Sequence, residues 1–189
     1  IFNGDNYSDE WREEAESRGL PNLPSVVDSI PLLKSKTAVD MFKKHRVLDK
    51  SELQSRVSIF LEQYATRINI EAETMVLMAR QQIQPSALEH QARLAEAVAT
   101  TESAGVPVER TRKQLEHFAG LVDQFTEKID ELDKANEKTY QDATRAAKYA
   151  RETVLPLMEE ARSLGDQIEE RVAADIWPLP TYRELLYIK

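Results

Sequence analysis

The sequence contains no cysteine, and its 189 residues include only five glycines and eight prolines. Without cysteine the chain has no disulfide, no thiolate metal ligand and no thiol nucleophile. Glycine and proline are the residues that most often interrupt helices, so their shortage favours long helices over short strands. We therefore predict an all-α fold: an elongated antiparallel bundle of long kinked helices, preceded by two short helices and followed by an irregular C-terminal tail.

Long hydrophobic runs are also missing, since no apolar stretch approaches the roughly 20 residues that cross a bilayer. The first residues also lack the charged start and apolar middle of a signal peptide, so we expect none. The formal net charge is −8, and acidic residues are interleaved with Lys and Arg throughout. A nucleic-acid-binding protein would instead gather its basic residues on one face to neutralise phosphates. We expect a cytoplasmic protein with no nucleic-acid partner and no membrane partner.

Residues 1–48 form a lead-in in which short helices alternate with proline-rich connections. Ile1 and Phe2 are strand-prone, follow no initiator methionine and run into a turn, so we expect a domain upstream of them. Ser8 is placed to cap a first short helix that ends at Gly19. A second short helix is predicted over residues 36–45.

Residues 49–176 have the pattern of a bundle of long helices. Asp49 and Glu52 have the spacing of a capping box, and the helix that they begin is predicted to kink at Pro85 and to stop near Gly105. Apolar residues recur along it at steps of three and four. Its predicted buried stripe is Leu53, Val57, Phe60, Tyr64, Ile68, Met75, Ala79 and Ile83.

Two more long helices are predicted after this one. The clearest periodicity is a heptad seam of Leu115, Phe118, Val122, Phe125, Ile129 and Leu132. A turn near Asn136 leads to a third helix, bent at Pro156. Because short connections between amphipathic helices make neighbours antiparallel, we treat residues 1–189 as a single C-terminal helical domain, with residues 177–189 as a docking tail.

The sequence offers little chemistry. His45, His90 and His117 are far apart and lack partners at metal-ligand spacing. No glycine-rich loop could cradle phosphate, and no Ser-His-Asp arrangement can be recognised. We predict no catalytic, no cofactor-binding and no metal-binding residue in this chain.

Two segments are candidates for contacts with another domain or subunit. Asn69, Glu71 and Glu73 lie close together on a predicted helix, but residues two apart point in different directions, which argues against an acid–base pair. The tail, residues 177–189, is rich in aromatics and either packs on its own bundle or anchors in another domain or subunit. Its candidate contact residues are Trp177, Tyr182, Leu185 and Leu186.

The stretches IFNGDNYSDEW, INIEAETM, QIQPSAL, VLPLMEE and WPLPTYRELL, in this order, resemble the C-terminal region of type III glutamine synthetases. The resemblance implies a parent ligase of glutamine biosynthesis that joins ammonia to glutamate through a γ-glutamyl phosphate, using ATP and a divalent metal, magnesium or manganese. It further implies a homo-oligomer of hexameric rings whose metal, nucleotide and glutamate ligands lie upstream of this segment.

On that basis we expect a non-catalytic domain that contacts its own upstream catalytic domain and neighbouring subunits, and that supports subunit or ring assembly. The alternative is a stand-alone helical-bundle interaction or adaptor module whose heptad seam recruits a partner helix.

Overall fold

The computed structural model describes residues 3–187, save the side chains of Tyr182 and Arg183. None of residues 3–187 lies in a strand, so the predicted all-α class is confirmed for this part of the chain. The predicted strand end at Ile1 and Phe2 falls outside the described residues. The chain forms two compact units, which divide between Tyr64 and Ala65.

The first unit contains the short helices of the lead-in. They are α1 (Asp9–Ser17), α2 (Val26–Ser29), a 3₁₀ turn (Ile30–Lys34) and α3 (Lys36–Lys44). The Ser8 hydroxyl accepts a hydrogen bond from the Trp11 N–H at 3.4 Å, and Gly19 after the helix has a φ of +68°. The predicted start and stop of α1 are therefore both present, because a left-handed glycine is a common helix terminator.

The long helix α4 (Lys50–Met78) begins in the first unit with the predicted capping box. The Asp49 N–H donates to the Glu52 carboxylate at 2.7 Å, and the Glu52 N–H donates to the Asp49 carboxylate at 2.8 Å. This reciprocal pair satisfies two backbone donors that a helix start otherwise leaves free. The first turn of α4 is thus fixed by the sequence itself.

The second unit continues α4 and adds the remaining elements. They are a π turn (Ala79–Ile83), α5 (Gln84–Ser103), α6 (Glu109–Asn136), α7 (Ala143–Tyr149), a second π turn (Ala150–Val154), α8 (Leu155–Glu169) and the short α9 (Tyr182–Leu186). Helix α6 ends at Asn136, where the sequence predicts a turn. Gly105, with a φ of +77°, follows α5 at the predicted stop.

Side-chain contacts show that α6 runs antiparallel to the α4–α5 helix. Near the connection Arg112 forms an ion pair with Glu102 at 2.8 Å. Far from the connection Arg80 forms an ion pair with Asp133 at 2.6 Å. Partner numbers fall along one helix as they rise along the other, which is the signature of antiparallel neighbours.

Helix α6 is also antiparallel to α8. The Tyr149 hydroxyl donates to the Ala135 carbonyl at 3.2 Å, and Lys128 pairs with Glu160 at 2.8 Å. Helix α6 therefore lies between the other two long helices of the second unit. This is the arrangement predicted from short connections between amphipathic helices.

The core of the second unit follows the heptad seam of α6. Its buried residues are Phe118, Leu121, Val122, Phe125, Ile129 and Leu132. Leu115, the first predicted member, is only half-buried. Burial of each large apolar side chain contributes roughly 1.5–3 kcal/mol, so this seam provides a large share of the favourable energy of the unit.

The two π turns stand at the predicted kinks. The Gln84 N–H donates to the Ala79 carbonyl, and the Leu155 N–H donates to the Ala150 carbonyl, each five residues back. In both cases a proline, Pro85 or Pro156, is the next residue. Proline has no N–H and clashes with the carbonyl four residues before it, so a wider turn at that point accommodates the ring.

Candidate docking groove

A groove of about 660 Å³ opens in the second unit between α4, α8 and the segment that follows α8. We call it the α4–α8 groove. Its apolar lining includes Ile70, Met75, Met78, Ile83, Phe125, Met158, Ala161, Trp177 and Leu179. Concave apolar surfaces of this size are the usual binding places of ligands and partner side chains.

Helical spacing explains how two helices supply the walls. Ile70, Thr74 and Met78 recur at steps of four on α4, so they share one side of that helix. Met158 and Gly165 do the same on α8, seven residues apart. Phe125 of α6 forms the floor.

Gly165 brings the backbone of α8 close to that floor. A Cβ atom at this position would lie 3.6 Å from Cε2 of the Phe125 ring. This is an ordinary van der Waals distance, so the position also has room for a methyl group. The floor of the groove is therefore continuous with the buried seam of α6.

The tail covers one part of the groove and leaves another part of itself exposed. Trp177 and Leu179 are half-buried in the lining, and the Trp177 Nε1 is enclosed without a hydrogen-bond acceptor among the described residues. Leu185 also lines the groove but stays 60% exposed, and Leu186 is 74% exposed. The start of the tail thus packs on its own bundle, whereas its end presents apolar side chains to solvent.

A capping box that the sequence analysis missed begins α9. The Thr181 N–H and hydroxyl donate to the Glu184 carboxylate at 2.8 and 3.0 Å, and the Glu184 N–H is 3.4 Å from the Thr181 hydroxyl. The backbone hydrogen bond from Thr181 lowers the pKa of Glu184 below its usual value. A Thr followed three residues later by Glu is the signal that could have found this cap.

The rim of the groove is acidic. Among the described residues, Glu71, Asp166 and Glu169 line it together with one cation, Arg162. The Arg162 Nε lies 2.6 Å from Asp166 Oδ1, so that pair neutralises itself. Neither Glu71 nor Glu169 forms an ion pair with another residue in the described part of the chain. Two carboxylates therefore remain uncompensated at the rim.

The structure brings only some of the predicted contact residues together. Glu71, Trp177 and Leu185 all line the groove. Asn69 is half-buried, and its carbonyl accepts a hydrogen bond from Asn136 at 3.1 Å. Glu73 and Leu186 are exposed outside the lining, and the Tyr182 side chain lies outside the described residues.

Comparison of the sequence with known proteins matches residues 1–102 to the family described as Glutamine synthetase C-terminal domain. The chain belongs to this family. It is 30% identical over 198 residues to a type-3 glutamine synthetase of Dictyostelium discoideum and 32% identical over 196 residues to a glutamine synthetase of Butyrivibrio fibrisolvens. A glutamine synthetase of Bacteroides fragilis is 29% identical over 197 residues.

These alignments include 99% to 100% of the chain but only 27% of each relative. The α4 wall of the groove lies inside the segment that matches the glutamine synthetase C-terminal domain family. The α8 wall and the tail lie beyond that match and inside the alignments with the three relatives.

The divalent metal that the resemblance to glutamine synthetases implies would need several oxygen or nitrogen ligands close together. Within residues 3–187 no three His, Asp or Glu side chains lie close enough to hold a metal ion together. The described residues therefore do not fit a bound metal ion. No helix in the described part of the chain is long and apolar enough to cross a membrane.

His90 is the one histidine in a distinctive environment. Its ring stands edge-on to Phe118 with centroids 4.9 Å apart, and its Nδ1 is enclosed with no hydrogen-bond partner in the described part of the chain. Burial lowers the pKa of His90 below 6.5, the nearby charge of Arg93 lowers it further, and Asp175 opposes both. Arg93 and Asp175 themselves form an ion pair at 2.8 Å.

Proposed function

We propose that this chain is the non-catalytic C-terminal domain of a cytoplasmic glutamine synthetase and that it supports the assembly of subunits. The whole protein would join ammonia to glutamate using ATP and a divalent metal bound upstream of this segment. The observation that carries the proposal is the family match over residues 1–102 together with alignments that span 27% of the related enzymes. The remaining length of those relatives is where a catalytic domain would lie.

The end of the tail is the part of the domain best suited to a subunit contact. Leu186 and Tyr187 are 74% and 73% exposed, next to the partly exposed Leu185. Burying an exposed leucine or a similar side chain in an interface contributes roughly 1.5–3 kcal/mol. Large aromatic and aliphatic anchors of this kind commonly dominate the energy of a protein–protein interface. Glu73, exposed on α4, is a second candidate for the same interface.

The catalytic part of the proposal is tested by comparing two proteins. The full-length protein that contains this chain is expected to form glutamine from glutamate and ammonia in an ATP-dependent manner, and the 189-residue chain alone to form none. A full-length protein without this activity would contradict the assignment of the parent enzyme. Glutamine formation by the chain alone would contradict its non-catalytic role.

The assembly part is tested by particle mass. In the full-length protein, Leu186→Ser combined with Tyr187→Ser removes exposed apolar side chains without touching the core, so the domain itself should fold normally. We expect light scattering to show smaller particles for this variant on dilution. Leu88→Ser is the matched control, because Leu88 is also half-exposed but lies on α5. Equal particle masses for all three proteins would count against the tail as a contact.

A further inference from the structure

We propose that the α4–α8 groove is a docking site for an amphipathic helix of a partner protein, with apolar anchors along one face and Lys or Arg beside them. This interaction goes beyond the proposed assembly role, because it uses the interior and rim of the groove, whereas subunit contacts would use the outward end of the tail.

The lining of the groove has the chemistry of an adaptable helix-binding surface. Three of the four methionines of the chain, Met75, Met78 and Met158, line it. All three are half-buried rather than packed in the core. Methionine is unbranched and polarisable, so a methionine-lined surface adjusts to apolar anchors of different shapes. Hydrophobic grooves that bind amphipathic helices commonly use this property.

The length of the groove fits a helix of a few turns. Its α4 wall extends from Ile70 to Ile83. At 1.5 Å per residue, that stretch of helix is about 20 Å long, enough for a bound helix of about 13 residues. Such a helix places anchors at the first, fourth or fifth, and eighth positions on one face.

The rim determines the charge of the occupant. Glu71 belongs to α4 and Glu169 to the end of α8, so uncompensated carboxylates stand on both walls. The Arg162 guanidinium forms an ion pair with Asp166. A partner with Lys or Arg on the edges of its apolar face would pair with these carboxylates, whereas an acidic helix would be repelled.

Trp177 offers a further point of recognition. Its indole N–H is enclosed in the groove lining and meets no acceptor among the described residues. A helix presents free carbonyl groups in its last turn. An occupant that brings one of these carbonyls to Trp177 would satisfy a donor that otherwise loses its hydrogen bond on burial.

The test uses two synthetic peptides of about 14 residues, long enough to span the groove as a helix. One combines a leucine face with lysines, and the other carries glutamates in place of the lysines. Titration calorimetry with the 189-residue chain is expected to show micromolar binding of the Leu/Lys peptide and no binding of the Leu/Glu peptide. Binding of neither peptide, or equal binding of both, would overturn the proposal.

Matched charge reversals separate the groove from general attraction between a cationic peptide and an acidic protein. Glu71→Lys with Glu169→Lys alters the rim, and Glu96→Lys with Glu159→Lys alters exposed carboxylates of α5 and α8 outside the lining. Each pair changes the formal net charge from −8 by +4, to −4. We expect the rim pair to weaken binding at least about tenfold and the control pair to change it less than about twofold. Equal weakening by both pairs would refute docking in the groove.

Met158→Gln tests the apolar contribution, since it leaves the charge and the size of the side chain nearly unchanged. We expect it to weaken binding of the Leu/Lys peptide as well.

A second copy of the chain is the alternative occupant of the groove. Light scattering of the chain alone would overturn the proposal if it showed a dimer that the rim reversal abolishes.

Discussion

The side-chain amide of Asn136 donates a hydrogen bond to the backbone carbonyl of Asn69 across 3.1 Å. This bond joins the end of α6 to α4, and the Oδ1 of the same amide is enclosed with no hydrogen-bond donor among residues 3–187. The sequence singles out both asparagines, one as a turn and one as a contact residue. That they contact each other follows from the antiparallel pairing of the two helices.

Replacement of Asn136 should separate the hydrogen bond from the cost of an enclosed polar group. We expect Asn136→Ala to lower the free energy of unfolding by about 0.5–1 kcal/mol, since one hydrogen bond is lost and one unpaired acceptor is removed with it. Asn136→Asp should cost about 1–3 kcal/mol, because a carboxylate cannot donate to the Asn69 carbonyl and loses solvation. Urea denaturation followed by circular dichroism at neutral pH measures both, and an Asp variant as stable as the Ala variant would contradict the bond.

Three glycines should respond differently to alanine. Gly120 and Gly165 lie inside helices, and a Cβ there meets nothing within 4 Å or an ordinary contact at 3.6 Å. Each alanine substitution should therefore stabilise the fold by up to about 1 kcal/mol, the difference in helix propensity. Gly105 has a φ of +77°, so Gly105→Ala should destabilise the fold by about 1–2 kcal/mol. Thermal unfolding midpoints show whether each substitution stabilises or destabilises the fold. A stabilising Gly105→Ala would contradict the role of Gly105 as a left-handed helix terminator.

Mild acid should weaken the second unit through His90. Because its pKa in the folded chain is lowered below 6.5, the unfolded state takes up the proton first as the pH falls. The contribution of neutral His90 is complete above pH 6.5 and decreases once the pH drops below that value, until the folded-state pKa is passed. We expect the urea concentration at the unfolding midpoint of the native chain to decrease as the pH is lowered from 7.5 to 5.5.

His90→Gln should remove part of this decrease, whereas His117→Gln, at an exposed position of α6, should leave it unchanged. Arg93 and Asp175 stay charged across this pH range, so their ion pair does not make the free energy of unfolding depend on pH. A His90→Gln variant with the full native pH dependence would contradict the assignment.

The first π turn should tolerate the loss of one residue. A π turn holds one residue more than the α-helix it interrupts, so deletion of Gln81 together with Pro85→Ala would leave a regular helix with both flanks in register. We expect this variant to keep cooperative unfolding by circular dichroism. Deletion of Gln124 in α6 is the control, because it rotates the following seam residues by about 100°. Equal loss of cooperativity in both variants would contradict the role of the π turn.

The seam of α6 could be predicted from the sequence because large apolar residues mark it at regular steps. The seam of α4 could be predicted only in part. Its buried residues include Leu61, Ala65 and Ala72, whereas Phe60, which the pattern favours, is 43% exposed. Alanine adds little to a hydrophobic pattern, so a neighbouring large side chain can dominate the pattern although it faces solvent.

The groove could not be predicted at all from local patterns. Met78 of α4, Phe125 of α6 and Met158 of α8 are far apart in sequence and meet only because the helices pack antiparallel. Each of these residues, considered alone, fits a core position equally well. The aromatic composition of the tail indicates a packing surface without specifying where it lies, and Trp177 lines a groove of its own bundle.

Helix α4 and its π turn bury an alanine at every seventh position: Ala65, Ala72 and Ala79. A methyl group is the smallest side chain that still fills space, so this line allows neighbouring atoms to come close to the helix axis. We therefore expect homologous chains to carry Gly, Ala or Ser at these three positions. Residues on the opposite side of the helix should vary freely. A family member with a bulky residue there would need a wider separation of its helices and hence a groove of different width.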